Sequence, residues 1–145
     1  MTSKSTPAQA QGRPIPGKKY FTVEEAKQAL PYVARIVADL VACHQQVADL
    51  RDQLELPDNG DDVDSLRNRF DESLERLQYL SEELSGVGVE MKDYERGLID
   101  FPAIYKDREI CLCWEHGEEG LLAWHELDTG YAGRLDINTL EPSPH

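Results

Sequence analysis

The first half of the chain carries apolar residues at alternating spacings of three and four. This stripe runs from Val23 to about Leu56 without a glycine. The stripe and its flanking row comprise Val23, Ala26, Ala29, Leu30, Val33, Ile36, Val37, Leu40, Cys43, Val47, Leu50 and Leu54. The spacing predicts one amphipathic helix of about 30 residues. Thr22 and Glu25 form a capping box that is predicted to start it.

A second amphipathic pattern follows the turn-forming residues 57–60. Asp61 or Asp62 is suited to cap this helix, and Gly86 is the predicted stop. The apolar stripe comprises Val63, Leu66, Phe70, Leu74, Leu77, Leu80 and Leu84. A short turn between two long amphipathic helices predicts an antiparallel helical hairpin.

In the last third of the chain the apolar positions switch to a period of two, which is typical of strands. Residues 98–102 are predicted to form a short edge strand, because Pro102 has no amide hydrogen to donate to a second neighbour. A strand over 109–114 and a partner strand over 121–126 follow, and 135–137 ends the pattern.

The fold class predicted from these elements is α+β. A long antiparallel helical hairpin is followed by a small, mostly antiparallel β-sheet packed on it. The length of 145 residues fits one domain, which we place at 20–137. The hairpin occupies 20–85 and the sheet region 86–137. Residues 1–19 are predicted to be a disordered basic tail, and 138–145 a loose C-terminal tail.

Charge is distributed unevenly along the sequence. The 15 basic and 28 acidic residues give a net charge of −13. Residues 1–19 contribute +4, which leaves −17 for the rest. Such a negative body repels phosphate backbones, so duplex nucleic acid is not an expected partner. The tail is rich in proline and glycine, which favours disorder; contact with RNA or an acidic partner is its alternative role.

Cysteine usage and hydropathy favour a cytoplasmic protein. The start of the sequence lacks the apolar stretch of a secretory signal, so Cys43, Cys111 and Cys113 are expected to stay reduced. No apolar run approaches the roughly 18–20 residues that cross a bilayer, and no membrane partner is expected.

One predicted strand carries two cysteines on the same face. Alternation points Cys111 and Cys113 away from the face that carries Ile110, Leu112 and Trp114. With His125 on a nearby strand, the two thiols offer three ligands for a metal ion. The alternative interpretation is that both cysteines simply pack in the core. No cofactor other than such an ion is predicted.

His125 and Glu126 are a second candidate pair. As neighbours on a strand they point to opposite faces, so they do not easily form one constellation. Glu126 shares its face with Trp124, an unusual place for a carboxylate. If Glu126 is buried, its pKa would rise and it would need a donor, for which Arg134 is the candidate. An ion pair at the edge of the sheet is the alternative.

Two looser groups complete the candidates. Four carboxylates near predicted turns are either ligands of a hard cation or a solvated acidic face: Glu90, Asp93, Glu95 and Asp100. Four aromatic residues form either a ligand-stacking wall or the core of the sheet: Tyr94, Trp114, Trp124 and Tyr131. The sequence contains no nucleotide-binding, zinc-protease or serine-hydrolase motif.

Short blocks of the sequence also carry a family resemblance. They are Tyr20-Phe21-Thr22, Glu25-Ala26, Leu30-Pro31, Gly97-Leu98-Ile99-Asp100-Phe101-Pro102, Leu112-Cys113-Trp114, Trp124-His125-Glu126 and Gly130-Tyr131-Ala132-Gly133-Arg134. In this order they resemble a small bacterial family, domain of unknown function 2203, over roughly 20–137. The additional residues Glu119-Gly120 make the loop after the Leu112-Cys113-Trp114 block longer than is usual in that family. The resemblance implies a helical hairpin plus small sheet, without assigned activity or catalytic residues.

Two functional hypotheses remain open at this level. The first is an interaction or structural protein that self-associates, or binds a protein partner, through its hairpin. The wide apolar stripe supports it, as do His44 and Arg51, which interrupt the stripe and are typical of a register-setting helix interface. A position near the rim of the helix is their alternative explanation.

The second hypothesis is a small-ligand or metal site on the sheet, with enzymatic activity left open but not favoured. The polar residues beside aromatics and glycines are Asp100, His125, Glu126 and Arg134, and the family resemblance marks these four together with Cys113 and Trp114. The ligand-binding candidates are Asp100, Trp114, His125, Glu126 and Arg134, with Cys111, Cys113 and His125 as the metal candidates. The hypothesis requires these side chains to converge.

Overall fold

The computed structural model describes residues 12–141. Its first two elements are helices α1 (Val23–Glu55) and α2 (Val63–Val87). Two contacts between the helices show their relative direction. The Cys43 thiol donates to the carbonyl of Ser73 at 3.3 Å, and Arg76 lies 3.9 Å from Asp39. Earlier positions of α1 thus meet later positions of α2, as in the predicted antiparallel hairpin.

Both helices begin where their capping residues predict. The amide of Glu25 donates to the Thr22 hydroxyl at 3.0 Å, and the amide of Thr22 donates to the Glu25 carboxylate at 2.9 Å. Of the two candidate caps for α2, Asp62 is the one used, accepting from the amide of Ser65 at 3.2 Å. These bonds satisfy amides that have no partner within the first helical turn.

The end of α2 differs from the prediction. The helix continues through Gly86, and Gly88 is the residue that adopts the left-handed conformation, with φ of 101°. A side chain at Gly88 would also be crowded, since an added Cβ would lie 2.7 Å from Cγ of Lys19. Both the backbone and the packing therefore require glycine at 88, whereas Gly86 is an ordinary helical residue.

Five antiparallel strands follow in the order β1-β2-β3-β4-β5. They are β1 (Glu90–Asp93), β2 (Leu98–Tyr105), β3 (Arg108–Glu115), β4 (Ala123–Glu126) and β5 (Leu135–Asp136). Each strand pairs with the one before it, so the sheet is a meander. The α+β class and the order of hairpin and sheet are confirmed.

The prediction that residues 98–102 form an edge strand is wrong, because β2 lies between β1 and β3. Pro102 is tolerated there for a local reason. The pairing with β1 ends where Glu90 faces Asp100. The Pro102 carbonyl instead accepts from the amide of Phe21 at 2.7 Å, on the side away from β3. The pairing with β1 therefore does not reach the one residue of β2 that has no amide hydrogen to donate.

The two faces of the sheet, the inner face and the outer face, have different roles. The inner face packs on the helices and supplies much of the core. Its buried residues include Ile99, Phe101, Ile110, Leu112, Trp114 and Trp124. The outer face carries Asp100, Cys111, Cys113 and His125, which are also buried. The predicted separation of Ile110, Leu112 and Trp114 from the two cysteines is confirmed.

The polar interruptions of α1 have different environments. His44 stacks on Tyr94 of the β1–β2 connection, with ring centroids 5.4 Å apart. The Tyr94 hydroxyl lies 3.1 Å from that of Ser81 on α2. His44 thus has a partner inside the domain, whereas Arg51 is exposed.

The predicted tails fall partly outside the described residues, namely at 1–11 and 142–145. Of the remainder, Lys18 contacts Glu109 at 2.6 Å, and the amide of Glu141 donates to the hydroxyl of Tyr105 at 3.2 Å. No helix within residues 12–141 combines the length and apolar character needed to cross a membrane.

Replacing Gly88 by alanine should destabilise the fold by roughly 1–2 kcal/mol, the usual cost of a left-handed conformation for a residue with a Cβ. Gly86→Ala is the matched control. It lies in open space within α2 and should be neutral or stabilising by about 0.5–1 kcal/mol. Urea unfolding of both variants measures the difference; equal effects would contradict the assignment of Gly88 as the helix stop.

Candidate functional site

The outer face of the sheet brings three polar residues together at its centre. They come from three successive strands: Asp100 from β2, Cys113 from β3 and His125 from β4. In the strand register Asp100 lies opposite Cys113, and His125 lies opposite Cys111. All four point to the same face because paired residues of antiparallel strands do so.

The three residues are close enough to share one ligand. Nε2 of His125 lies 3.0 Å from Oδ1 of Asp100. The Cys113 sulfur and one ligand atom from each of Asp100 and His125 all lie within 4.8 Å of one another. Each side chain is at most 5 % exposed. Within residues 12–141 this is the one group of three or more such residues that is arranged to hold a metal ion. We call it the Asp–Cys–His cluster.

Hydrogen bonding orients the imidazole of His125. Its Nδ1 lies 2.7 Å from the carbonyl oxygen of Glu126, which only accepts, so Nδ1 carries a hydrogen. Burial lowers the pKa of His125. The hydrogen bonds to Asp100, Cys113 and the Glu126 carbonyl outweigh burial and raise that pKa to about 10. At neutral pH and without a metal ion, His125 is therefore an imidazolium paired with Asp100.

Cys111 lies on the same face, directly across from His125. Burial raises the pKa of its thiol, and the negative charges of Asp100 and Glu90 raise it further, against the opposing charge of Lys92. Without a metal ion Cys111 is thus a neutral thiol beside the cluster.

Glu126 and Arg134 do not form the expected pair. Glu126 binds Arg108 through two hydrogen bonds of 2.6 and 2.9 Å. Arg134 binds Glu118 at 2.9 and 3.0 Å. The predicted donor for Glu126 is therefore wrong. Glu126 lies opposite Ile110 of β3, and Arg108, two residues before Ile110, is the diagonal neighbour of Glu126 on the same face. Arg108 is therefore the residue that pairs with Glu126.

The remaining candidates, Trp114 and Arg134, are not part of the cluster. Trp114 belongs to the inner face, where it is buried and donates from Nε1 to the Glu118 carbonyl at 3.2 Å. Burial lowers the pKa of Arg134, but Glu118 and Cys113 raise it, so its guanidinium lies within electrostatic range of the cluster. Nε of Arg134 is buried and has no hydrogen-bond partner among the described residues.

The four carboxylates considered for a hard cation do not share one site. Glu90 pairs with Lys18 at 3.4 Å and with Lys92 at 3.2 Å. Asp93 accepts from the amides of Glu95 and Arg96 in a turn. Among the four, only Asp100 is buried, and it belongs to the Asp–Cys–His cluster.

The cluster is enclosed. Three surface pockets of about 500, 850 and 350 Å³ are lined by other parts of the described chain, and Asp100, Cys113 and His125 line none of them. None of these three pockets therefore gives a substrate access to the cluster. The arrangement suits a small ion held inside the fold.

Sequence reasoning grouped Cys111, Cys113 and His125 as metal candidates. It named Asp100 separately, as a ligand-binding candidate with His125 and as one of four carboxylates for a hard cation, and did not combine it with the thiols. A signal was present, since an aspartate in the strongly apolar run 98–105 is unusual for a buried strand. The signal becomes informative only when β2 is placed in register with β3, because only then does Asp100 face Cys113.

A family model described as "Uncharacterized conserved protein (DUF2203)" matches residues 19–137. No curated protein and no solved structure matches the chain. The match covers the hairpin and the whole sheet, including every residue of the Asp–Cys–His cluster.

The His125–Asp100 pair predicts a pH dependence of stability in metal-free protein. The pKa of His125 rises from 6.5 to about 10 on folding. Its stabilising effect is therefore complete below pH of about 6.5 and is lost as the pH rises towards 10. Urea unfolding in a chelator over this range should show the decline for the full chain.

His125→Gln should flatten that decline, because glutamine does not titrate. His44→Gln, which alters a histidine outside the cluster, is the control and should keep it. Equal pH profiles for the wild type and His125→Gln would contradict the ion pair.

Proposed function

The chain belongs to the uncharacterized conserved family DUF2203, and we propose that its function is to bind a divalent transition-metal ion such as Zn²⁺ at the Asp–Cys–His cluster. The observation that carries this proposal is the convergence of three different ligand types, within 4.8 Å, in a buried position. Because a fold does not define an activity, the chemistry of these residues is what supports this function.

The donor set favours a transition metal. Thiolate, imidazole and carboxylate are together the usual ligands of Zn²⁺, whereas Mg²⁺ and Ca²⁺ prefer oxygen alone. Only one of the three residues, Asp100, offers oxygen. A hard cation would gain little from Cys113 and His125.

The distances need only a small adjustment. Zinc–ligand distances of about 2.0–2.3 Å separate neighbouring ligand atoms of a tetrahedral site by roughly 3.3–3.8 Å. Asp100 and His125 are already 3.0 Å apart through a hydrogen bond, and Cys113 lies within 4.8 Å. Replacing the Nε2 hydrogen by a metal ion would separate the first two atoms slightly and draw the thiolate in.

The surroundings of His125 support the same assignment. Histidines that bind metals usually donate their second ring N–H to a carbonyl or carboxylate, which fixes the ring orientation. Nδ1 of His125 makes such a bond with the Glu126 carbonyl, and Nε2 faces the other candidate ligands. The nitrogen that a metal would need is therefore already aimed at the cluster.

The burial of the cluster favours an ion that stabilises the fold over one that meets a substrate. Structural zinc sites are closed by protein ligands, while catalytic sites keep an open position for water or substrate. An ion here would connect β2, β3 and β4, and its binding free energy would add to folding.

Zinc titration tests the proposal. Full-length protein stripped with a chelator should take up one Zn²⁺, and at 100 times the Kd this should raise the unfolding free energy by about 2.7 kcal/mol. Calorimetry and thermal unfolding with Zn²⁺ alone provide the measurements. Asp100→Asn and His125→Gln should abolish both effects.

Glu126→Gln is the matched control, because it alters a carboxylate next to His125 that lies on the opposite face and binds Arg108. It should bind Zn²⁺ like the wild type. Failure of the wild type to take up stoichiometric Zn²⁺ would reject the proposal.

A second candidate function is self-association through the hairpin. The large hydrophobic side chains of the hairpin that remain exposed include Leu56 at 84 %, Val63 at 38 % and Leu74 at 40 %. Burying them against a second copy would gain hydrophobic free energy. Against this, much of the wide stripe is already covered, since α1 contributes to the core with the sheet as well as packing on α2.

Native mass spectrometry distinguishes the alternatives. If the hairpin mediates association, the wild type should be dimeric at micromolar concentration and Leu74→Glu should be monomeric. Leu135→Glu, at an equally exposed leucine of β5, should remain dimeric. A monomeric wild type would reject this second candidate while leaving the metal site untouched.

A further inference from the structure

We propose that Cys111 is the fourth metal ligand, so that Asp100, Cys111, Cys113 and His125 form a closed site with two sulfurs, one nitrogen and one oxygen. This inference rests on the proposed metal-binding function and makes it more specific. Two sulfur ligands favour a metal ion that binds thiolates well, and four protein ligands make the site a structural one without an open position for substrate.

The strand register carries the inference. The strands β2 and β4 flank β3. Asp100 on β2 lies beside Cys113 of β3, and His125 on β4 lies beside Cys111 of β3. These flanking strands are roughly 9–10 Å apart, twice the usual strand spacing. The 3.0 Å contact between Asp100 and His125 therefore crosses over β3 diagonally. Its midpoint lies between the two cysteine positions along β3. The Cys111 sulfur is outside the group of ligand atoms that lie within 4.8 Å of one another, so coordination requires the Cys111 side chain to turn towards this contact.

The surrounding positions support the same four ligands. The register forms two rows of three residues on the outer face: Asp100, Cys113 and Ala123 in one row, and Pro102, Cys111 and His125 in the other. Ala123 and Pro102 occupy opposite corners and have no donor side chain. Every other position of the two rows carries a ligand atom, and all four of these residues are buried.

Nearby cations can offset the negative charge that a second thiolate adds. Two thiolates, one carboxylate and a divalent ion leave one net negative charge in a buried place, which needs compensation. Two cations are near. Glu118 and Cys113 raise the pKa of Arg134 against its burial. Burial lowers the pKa of Lys92, but Glu90, Asp100 and Cys111 together raise it above its ordinary value.

X-ray absorption of the Zn²⁺-loaded, full-length wild type tests the inference without any substitution. Sulfur ligands lie at about 2.3 Å from zinc, and nitrogen or oxygen ligands at about 2.0–2.2 Å. We expect two sulfurs and two lighter ligands. One sulfur with three lighter ligands would overturn the inference while leaving metal binding intact, whereas the absence of bound zinc would overturn both.

A cysteine series gives the second readout. Co²⁺ replaces Zn²⁺, and its sulfur-to-metal charge-transfer absorption reports the bound thiolates. Cys111→Ser should lose about half of this absorption and weaken Zn²⁺ binding beyond the roughly 10–100-fold cost of an outer-shell change. Cys43→Ser is the control, because Cys43 is a buried free cysteine on α1. Wild-type absorption and affinity in Cys111→Ser would overturn the assignment.

Discussion

A slip of one residue in the pairing of β2 and β3 would turn Phe101 away from the helices and Asp100 into the core. The register of the three central strands is therefore the constraint on which the rest depends. It seats Phe101, Leu112 and Trp124 against the hairpin, and it places Asp100 and His125 in contact over β3. The register that buries the apolar residues of the inner face thus also positions the polar residues of the outer face.

A buried polar face has to satisfy its charges within the protein, because an unpaired buried charge is costly. His125 and Asp100 satisfy each other. Glu109, also buried on the outer face, accepts from the ammonium of Lys18 and the hydroxyl of Tyr20, each at 2.6 Å. The segment before α1 therefore helps to cover the sheet. Such pairing neutralises the buried charges and fixes the geometry of the outer face.

The proposed metal site and the fold support each other. Backbone pairing and side-chain packing hold the strands β2, β3 and β4 together, and β4 is short. An ion held by one residue from each would link these strands on the face opposite the helices. Since the family has no assigned activity, this chemistry is the most specific functional information that the molecule offers.

The sequence by itself determined the features that depend on local periodicity and capping. These include both helices, the capping of α1 by Thr22, and the division of β3 into an apolar face and a cysteine face. It also named Asp100, Cys113 and His125 as candidates, but only the tertiary structure showed that these three form one cluster. The tertiary structure likewise decided that Glu126 pairs with Arg108 and that α2 ends at Gly88. Side-chain alternation is set within a strand, whereas the partner of each side chain depends on register between strands and on packing between distant segments.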